Sequence, residues 1–106
     1  MPEMSLDRHA EIDIALGGAV LVELSRKDTS AELCISVGDG GLYQVSLKSS
    51  RQPIVFPSDD ILTHAGHLVD LHEEFLTNLR QVRYFYSKLP NGQWDMRSDF
   101  EYGRSA

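Results

Sequence analysis

Glu32-Leu33-Cys34-Ile35-Ser36-Val37-Gly38-Asp39-Gly40-Gly41-Leu42-Tyr43-Gln44-Val45-Ser46-Leu47-Lys48 is the stretch that decides the fold. Leu33, Ile35 and Val37 alternate with Cys34 and Ser36, the period of a half-buried strand. Gly38 to Gly41 is a turn signal, because glycines supply the positive φ values that tight turns need. From Leu42 to Lys48 the alternation resumes, with Tyr43, Val45 and Leu47 in phase. The stretch therefore predicts a β-hairpin.

Downstream, Arg51 to Asp60 holds two prolines around Ile54, Val55 and Phe56. It reads as a short edge strand closed by Pro57. Ser58 to Leu79 is the clearest helix in the chain. Ser58 is placed to cap it, and Asp59 and Asp60 fall in the first turn, where carboxylates are favoured. Ile61, Ala65, Leu68, Phe75 and Leu79, flanked by Leu62, Val69 and Leu76, form a wide apolar stripe. Val82 to Leu89 is rich in β-formers, and Pro90-Asn91-Gly92 carries an Asn-Gly hairpin signal. Gln93 to Tyr102 alternates again. Trp94, Met96, Phe100 and Tyr102 share the expected core side, and Gln93, Asp95, Arg97, Asp99 and Glu101 the wet side.

Upstream, Leu6 to about Arg26 has Leu6, Ala10, Ile14, Gly17, Leu21 and Leu24 on one helical stripe. Helix is the stronger reading, although the interior pair Gly17-Gly18 opposes it. The alternation Ile12, Ile14, Leu16 also fits a strand with the glycines as its turn. On the helical reading Ile12, Leu16 and Ala19 lie on the back, free to be covered by another element or by a second copy across a two-fold axis. The expected order is α-β-β-β-α-β-β. Strands not interleaved one by one with helices indicate an α+β fold with a mostly antiparallel sheet of about five strands. The 106 residues suit a single domain, 1–106.

With 42% hydrophobic and 25% charged residues, the composition is that of an ordinary globular domain. No apolar run reaches the roughly 20 residues that a membrane helix requires. Met1 to Arg8 lacks the basic-then-apolar pattern of a secretory signal. Cys34 is the only cysteine, so the expected location is the reducing cytoplasm. Sixteen acidic against ten basic residues give a net charge of −6. That balance disfavours direct contact with a phosphate backbone and favours a basic protein partner.

Few residues offer chemistry. His64 and His67 with Asp60 share a helical flank, but no fourth metal ligand is evident and no His-Glu-x-x-His motif occurs. His72 falls inside the apolar stripe, where a buried, hydrogen-bonded histidine is the expected reading and a catalytic or pH-sensitive one the alternative. Cys34 sits mid-strand with no cation to activate it. The glycines at 38, 40 and 41 open no helix and carry no Lys-Ser or Lys-Thr sequel, so they form no phosphate loop. Asp59 with Asp60, Glu73 with Glu74, and Asp99 with Glu101 are carboxylate pairs in a chain with little room for a dry catalytic pocket. Neither catalytic residues nor a bound cofactor or metal is expected.

Charge is more informative. Ser58 to Phe75 contains Asp59, Asp60, Asp70, Glu73 and Glu74 and no Lys or Arg. The wet side of the last strand adds Asp95, Asp99 and Glu101 around Arg97. If helix and sheet edge adjoin, they form one acidic surface able to imitate the phosphates that a basic nuclease expects. Arg80, Arg83, Arg97 and Arg104 are too scattered to make a nucleic-acid patch.

The order of these features resembles the YezG-like family of antitoxins and immunity proteins. The likeness runs from about residue 8 to 103. It is carried by Thr29-Ser30-Ala31-Glu32-Leu33 entering a strand and a Gly-Asp-Gly turn, and by a Phe56-Pro57 step into a helix with Leu68, Leu71 and Phe75. The close, Asn91-Gly92-Gln93-Trp94 through Asp99-Phe100-Glu101-Tyr102-Gly103, completes it. In size and charge the chain is also similar to immunity proteins of contact-dependent inhibition. The chain departs from the family in lacking a Pro and a Trp between Ser25 and Ser30, and in a compact Val82 to Leu89. The resemblance implies a small cytoplasmic protein that binds and blocks a cognate toxin, commonly a nuclease, without cofactor or catalysis. The expected partner-binding residues are Asp59, Asp60, Asp70, Glu73, Glu74, Asp99 and Glu101 as an acidic rim, with Phe85 and Tyr86 as anchors.

Overall fold

The hairpin forms as the alternation predicts. A computed structural model describes residues 6–39 and 42–103. In it β1 (Ser30–Val37) and β2 (Tyr43–Ser49) run antiparallel, with Leu33 opposite Leu47 and Ile35 opposite Val45. The Gly38 N–H donates to the Leu42 carbonyl at 2.7 Å and closes the turn. Gly40 and Gly41 of that turn, and Arg104 of the scattered arginines, lie outside the described residues.

The other elements are α1 (Leu6–Glu23), α2 (Asp59–Glu74), β3 (Leu79–Lys88) and β4 (Trp94–Tyr102). β3 pairs antiparallel with both β1 and β4, so one four-stranded sheet runs in the order β2-β1-β3-β4. The class is α+β, as expected. Among the described residues the count of about five strands is corrected to four, and the order to α-β-β-α-β-β. Ile54 to Phe56 makes only one bridge, Val55 to Leu47. Pro53 and Pro57 on either side lack the N–H groups that would extend a ladder, and Ile54 and Phe56 stay exposed.

Both helices cover the same face of the sheet. Leu33 and Ile35 of β1, Leu47 of β2, and Val82, Tyr84 and Tyr86 of β3 are buried beneath them. The intervening residues Glu32, Cys34, Arg83, Phe85 and Asp99 are half-buried or exposed on the open face. α1 is a helix, and its strand alternative is excluded. Its inner face is rotated from the expected one, with Leu24 common to both. Leu16 and Val20 are fully buried, with Ile12, Ala19 and Leu24 packed against the core, whereas Ile14 is 75% exposed. The glycines explain the rotation. The expected stripe carries Gly17, which lies against the Tyr86 ring without a side chain of its own, so it has less apolar bulk than the face of Leu16 and Val20. Ile12, Leu16 and Ala19 are therefore used within the chain and are not available to a second copy.

α2 begins where expected, with the Ser58 hydroxyl accepting from the Ile61 N–H at 3.3 Å. It ends at Glu74, five residues before the expected Leu79. Leu76 N–H donates to the Glu73 carbonyl and Thr77 N–H to the His72 carbonyl, both at 3.1 Å. These two bonds are a Schellman cap, and they put Leu76 at φ 53°. Asn78 follows at φ 59°, and Leu79 then enters β3 and is buried. Of the last strand's expected core set, Trp94 and Phe100 are half-buried against the core, but Met96 and Tyr102 are corrected to exposed positions, at 40% and 50%.

Asp28 anchors the connection from α1 to β1. It is buried and accepts from the N–H groups of Ser25 at 2.8 Å and Arg51 at 3.3 Å. Burial by itself would raise this carboxyl, but hydrogen bonds from Ser25, Ser49 and Arg51 outweigh it and hold the pKa below its ordinary value. No described helix is long and apolar enough to cross a membrane.

The helix cap yields a stability test. A leucine at positive φ is strained, and its side chain is 79% exposed, so it contributes little packing. Leu76→Gly is expected to stabilise the protein by about 0.5–1 kcal/mol, read as a raised urea midpoint with an unchanged slope.

Candidate partner-binding surfaces

The capped start of α2 and its helical period place the acidic side chains. Advancing about 100° per residue puts Asp59, Asp60, Asp70, Glu73 and Glu74 within an arc of about 140°. All five are exposed on the side away from the sheet. Glu74 pairs with Arg8 of α1 at 3.1 Å across a solvated gap. Among the described residues Asp59, Asp60, Asp70 and Glu73 have no ion-pair partner. Leu62 and Leu76, 38% and 79% exposed, lie beside these acids. Next to Glu73 the surface dips into a cavity of about 460 Å³ floored by Val37, Val69 and Leu79. Arg80 lines it too and reaches Asp39 at 3.5 Å.

Asp99 and Glu101 are elsewhere. Phe100 packs inward, so strand alternation points its two neighbours out from the opposite face of the sheet. Asp99 lies across from Arg83 and Glu101 across from Gln81. With its amide oriented to satisfy both neighbours, Gln81 donates to Glu101 Oε2 at 3.1 Å and accepts from Arg83 Nε at 3.2 Å. The single acidic surface expected from the sequence is therefore two. One covers α2; the other is the open sheet face, where Asp99 stands across from Arg83 and Glu101 accepts from Gln81.

The two expected anchors also separate. Phe85 is half-buried on the open face, with the Arg97 guanidinium 4.8 Å above its ring. Tyr86 points the other way, is 3% exposed and is corrected to a core residue. Burial pushes its hydroxyl pKa up, and that oxygen is buried with no hydrogen-bond partner among the described residues.

A chain of polar side chains that the sequence reading did not assemble lies between the helices and the sheet. The Tyr84 hydroxyl donates to Asp13 Oδ1 at 2.6 Å. Asp13 Oδ2 is 3.0 Å from His9 Nδ1, and His9 Nε2 is 3.1 Å from His72 Nε2. His72 Nδ1 in turn lies 2.8 Å from Thr77 Oγ1. His72 is 3% exposed, as the hydrogen-bonded core reading of this residue expects. Desolvation first, and the nearby His9 second, lower its pKa to about 4, against the pull of Asp13. Burial, and then the bond to Asp13, push the Tyr84 hydroxyl well above its ordinary value. One sequence signal marked this chain. Once Ile12 and Leu16 are on the inner face, the polar Asp13 between them, four residues after His9, must find buried partners.

His64 and His67 place their ring centroids 6.0 Å apart on the rim of α2. Among the described residues no group of three His, Cys, Asp or Glu side chains is arranged to hold a metal. No protein-family model and no curated protein sequence matches the chain.

The orphaned hydroxyl gives a direct check on the placement of Tyr86. Removing it should relieve a buried, unsatisfied group, so Tyr86→Phe is expected to raise stability by about 1 kcal/mol in chemical unfolding.

Proposed function

We propose that this protein is an immunity protein or antitoxin. It binds a cognate toxin, a basic nuclease-type domain, and neutralises it by occlusion, without catalysis or cofactor. The observation that carries this reading is the outer face of α2. Five carboxylates stand there in water, four of them without an ion-pair partner among the described residues, with exposed Leu62 and Leu76 beside them. Charge of one sign on a helix face steers an oppositely charged partner and selects it. Exposed apolar side chains within that field supply the contact that slows dissociation. The order of motifs resembling the YezG-like family supports the same reading, as does the net charge of −6.

On this proposal Asp59, Asp60, Asp70, Glu73 and Glu74 meet the toxin. Asp99 and Glu101, with Phe85, belong to a separate face that the same toxin domain does not reach at once. The site of action is the cytoplasm. A second reading, self-association through α1, is favoured by one observation. Ile14 and Val22, 75% and 81% exposed, stand on its outer side. Light scattering of the isolated protein separates the two: a stable dimer favours self-association, and a monomer favours the toxin.

The test is capture from the native host at moderate salt, followed by assay of what is captured. The expected outcome is one basic protein whose toxic or nuclease activity stops at one equivalent of this chain. A captured protein whose activity is unaffected, or recovery of this chain alone, contradicts the proposal. Replacing Glu73→Lys together with Glu74→Lys should leave folding intact, because the exposed Arg8–Glu74 pair is worth at most about 1 kcal/mol. The same pair of changes should weaken the complex at least tenfold at low salt, and less at high salt.

A further inference from the structure

The chain from Tyr84 to Thr77 has a property beyond holding the helices together. It can be protonated once but not twice. With both histidines neutral, every donor runs toward one carboxylate. Tyr84 O–H and His9 Nδ1–H donate to Asp13, His72 Nε2–H donates to bare His9 Nε2, and Thr77 O–H donates to bare His72 Nδ1. One added proton is accommodated by reversing the direction of the chain. His9 becomes an imidazolium against Asp13 and donates from Nε2. His72 then carries its proton on Nδ1 and donates to Thr77. The Thr77 hydroxyl has a second acceptor waiting, the His72 carbonyl at 3.4 Å. A further proton would set two N–H groups, each on a cation, face to face across 3.1 Å.

We propose that the His9–His72 contact is a pH-operated clasp between α1 and α2, closed with one proton or none and opened by the second. The groups facing it are few. α1 supplies Asp13, already shared between Tyr84 and His9. β3 supplies Tyr84, and β4 supplies Phe100 and Tyr102, whose ring centroids lie 5.6 and 6.2 Å from that of His72. Phe100 also lies 5.3 Å from His9. The Arg8–Glu74 pair crosses the same gap at its solvent edge. No second carboxylate touches the rings among the described residues, so nothing there neutralises a second charge. Opening releases the N-terminal part of α1 from Phe100 and Tyr84 while the hairpin and β3 keep their ladders.

The linkage has a definite sign. The His72 pKa is lowered in the folded protein from 6.5 to about 4. In the unfolded or unclasped chain His72 therefore takes up its proton near pH 6.5, and in the closed form only near 4. The closed form loses stability as pH falls through that window, and loses nothing above it. Across the window the closing equilibrium should shift by two orders of magnitude or more.

The experiment is ¹⁵N-histidine NMR of the full chain from pH 8 to 4, with amide hydrogen exchange measured in parallel. At pH 8 His72 should be neutral, and the pair should hold no more than one imidazolium. Wherever that single imidazolium is present and the clasp closed, the His72 proton should sit on Nδ1. Where the second proton enters, α1 amides should lose protection at least 100-fold while β1 and β3 stay protected. His72→Gln, whose amide can still donate to His9, should hold α1 protection to lower pH. Two imidazoliums with α1 still protected would overturn the proposal, and so would α1 and sheet losing protection together. The wild-type spectra decide this even if the variant fails to fold.

Discussion

The hydrogen bond from Tyr84 to the Asp13 carboxylate is the contact on which the rest of the arrangement hangs. A carboxylate under a helix is costly to bury unless its oxygens are satisfied. Tyr84 satisfies one at 2.6 Å and His9 the other at 3.0 Å. These bonds orient α1, whose apolar contribution is modest. It has two interior glycines, and Leu16 and Val20 are its fully buried side chains. With α1 turned this way, His9 meets His72 and sets the contact with α2. His72 meets Thr77, and Thr77 lies in the cap that ends α2 and sends the chain into β3. One carboxylate thus ties both helices to the middle of the sheet.

Legibility followed how local each signal was. The hairpin around Gly38 and the last strand from Trp94 obey period two, and both were read within a few residues. Ser58 marked the start of α2 correctly, because a cap is a contact over three residues. The end of α2 was missed because the apolar stripe runs on through Phe75 and Leu79. Nothing in the sequence replaces the glycine that normally marks a left-handed cap; here Leu76 takes that strained position. The face of α1 was misjudged for a tertiary reason. The bonds that fix its inner face, His9 to His72 and Tyr84 to Asp13, span 63 and 71 residues, out of reach of any local pattern.

The candidate surface was legible in part. All five acids of α2 lie outward, because a helix that buries Ile61, Ala65 and Leu68 has no other place for them. Their union with Asp99 and Glu101 required knowledge of which layer each element joins. Strand parity could have separated Phe85 from Tyr86, since adjacent residues of a strand face opposite sides. The resulting molecule has an acidic helical face, an open sheet face where acids and bases alternate, and a titratable clasp between its helices. A partner bound on α2 would sit on the helix that the clasp secures.

The most direct measurement is a double-mutant cycle on the central bond, with Asp13→Asn, Tyr84→Phe and the combined variant unfolded in urea. If the Asp13 carboxylate organises the helices as described, the two changes couple by roughly 1–3 kcal/mol, and the double variant loses far less than the sum of the single losses. Additivity within about 0.5 kcal/mol would show that Asp13 and Tyr84 act independently and would contradict the account.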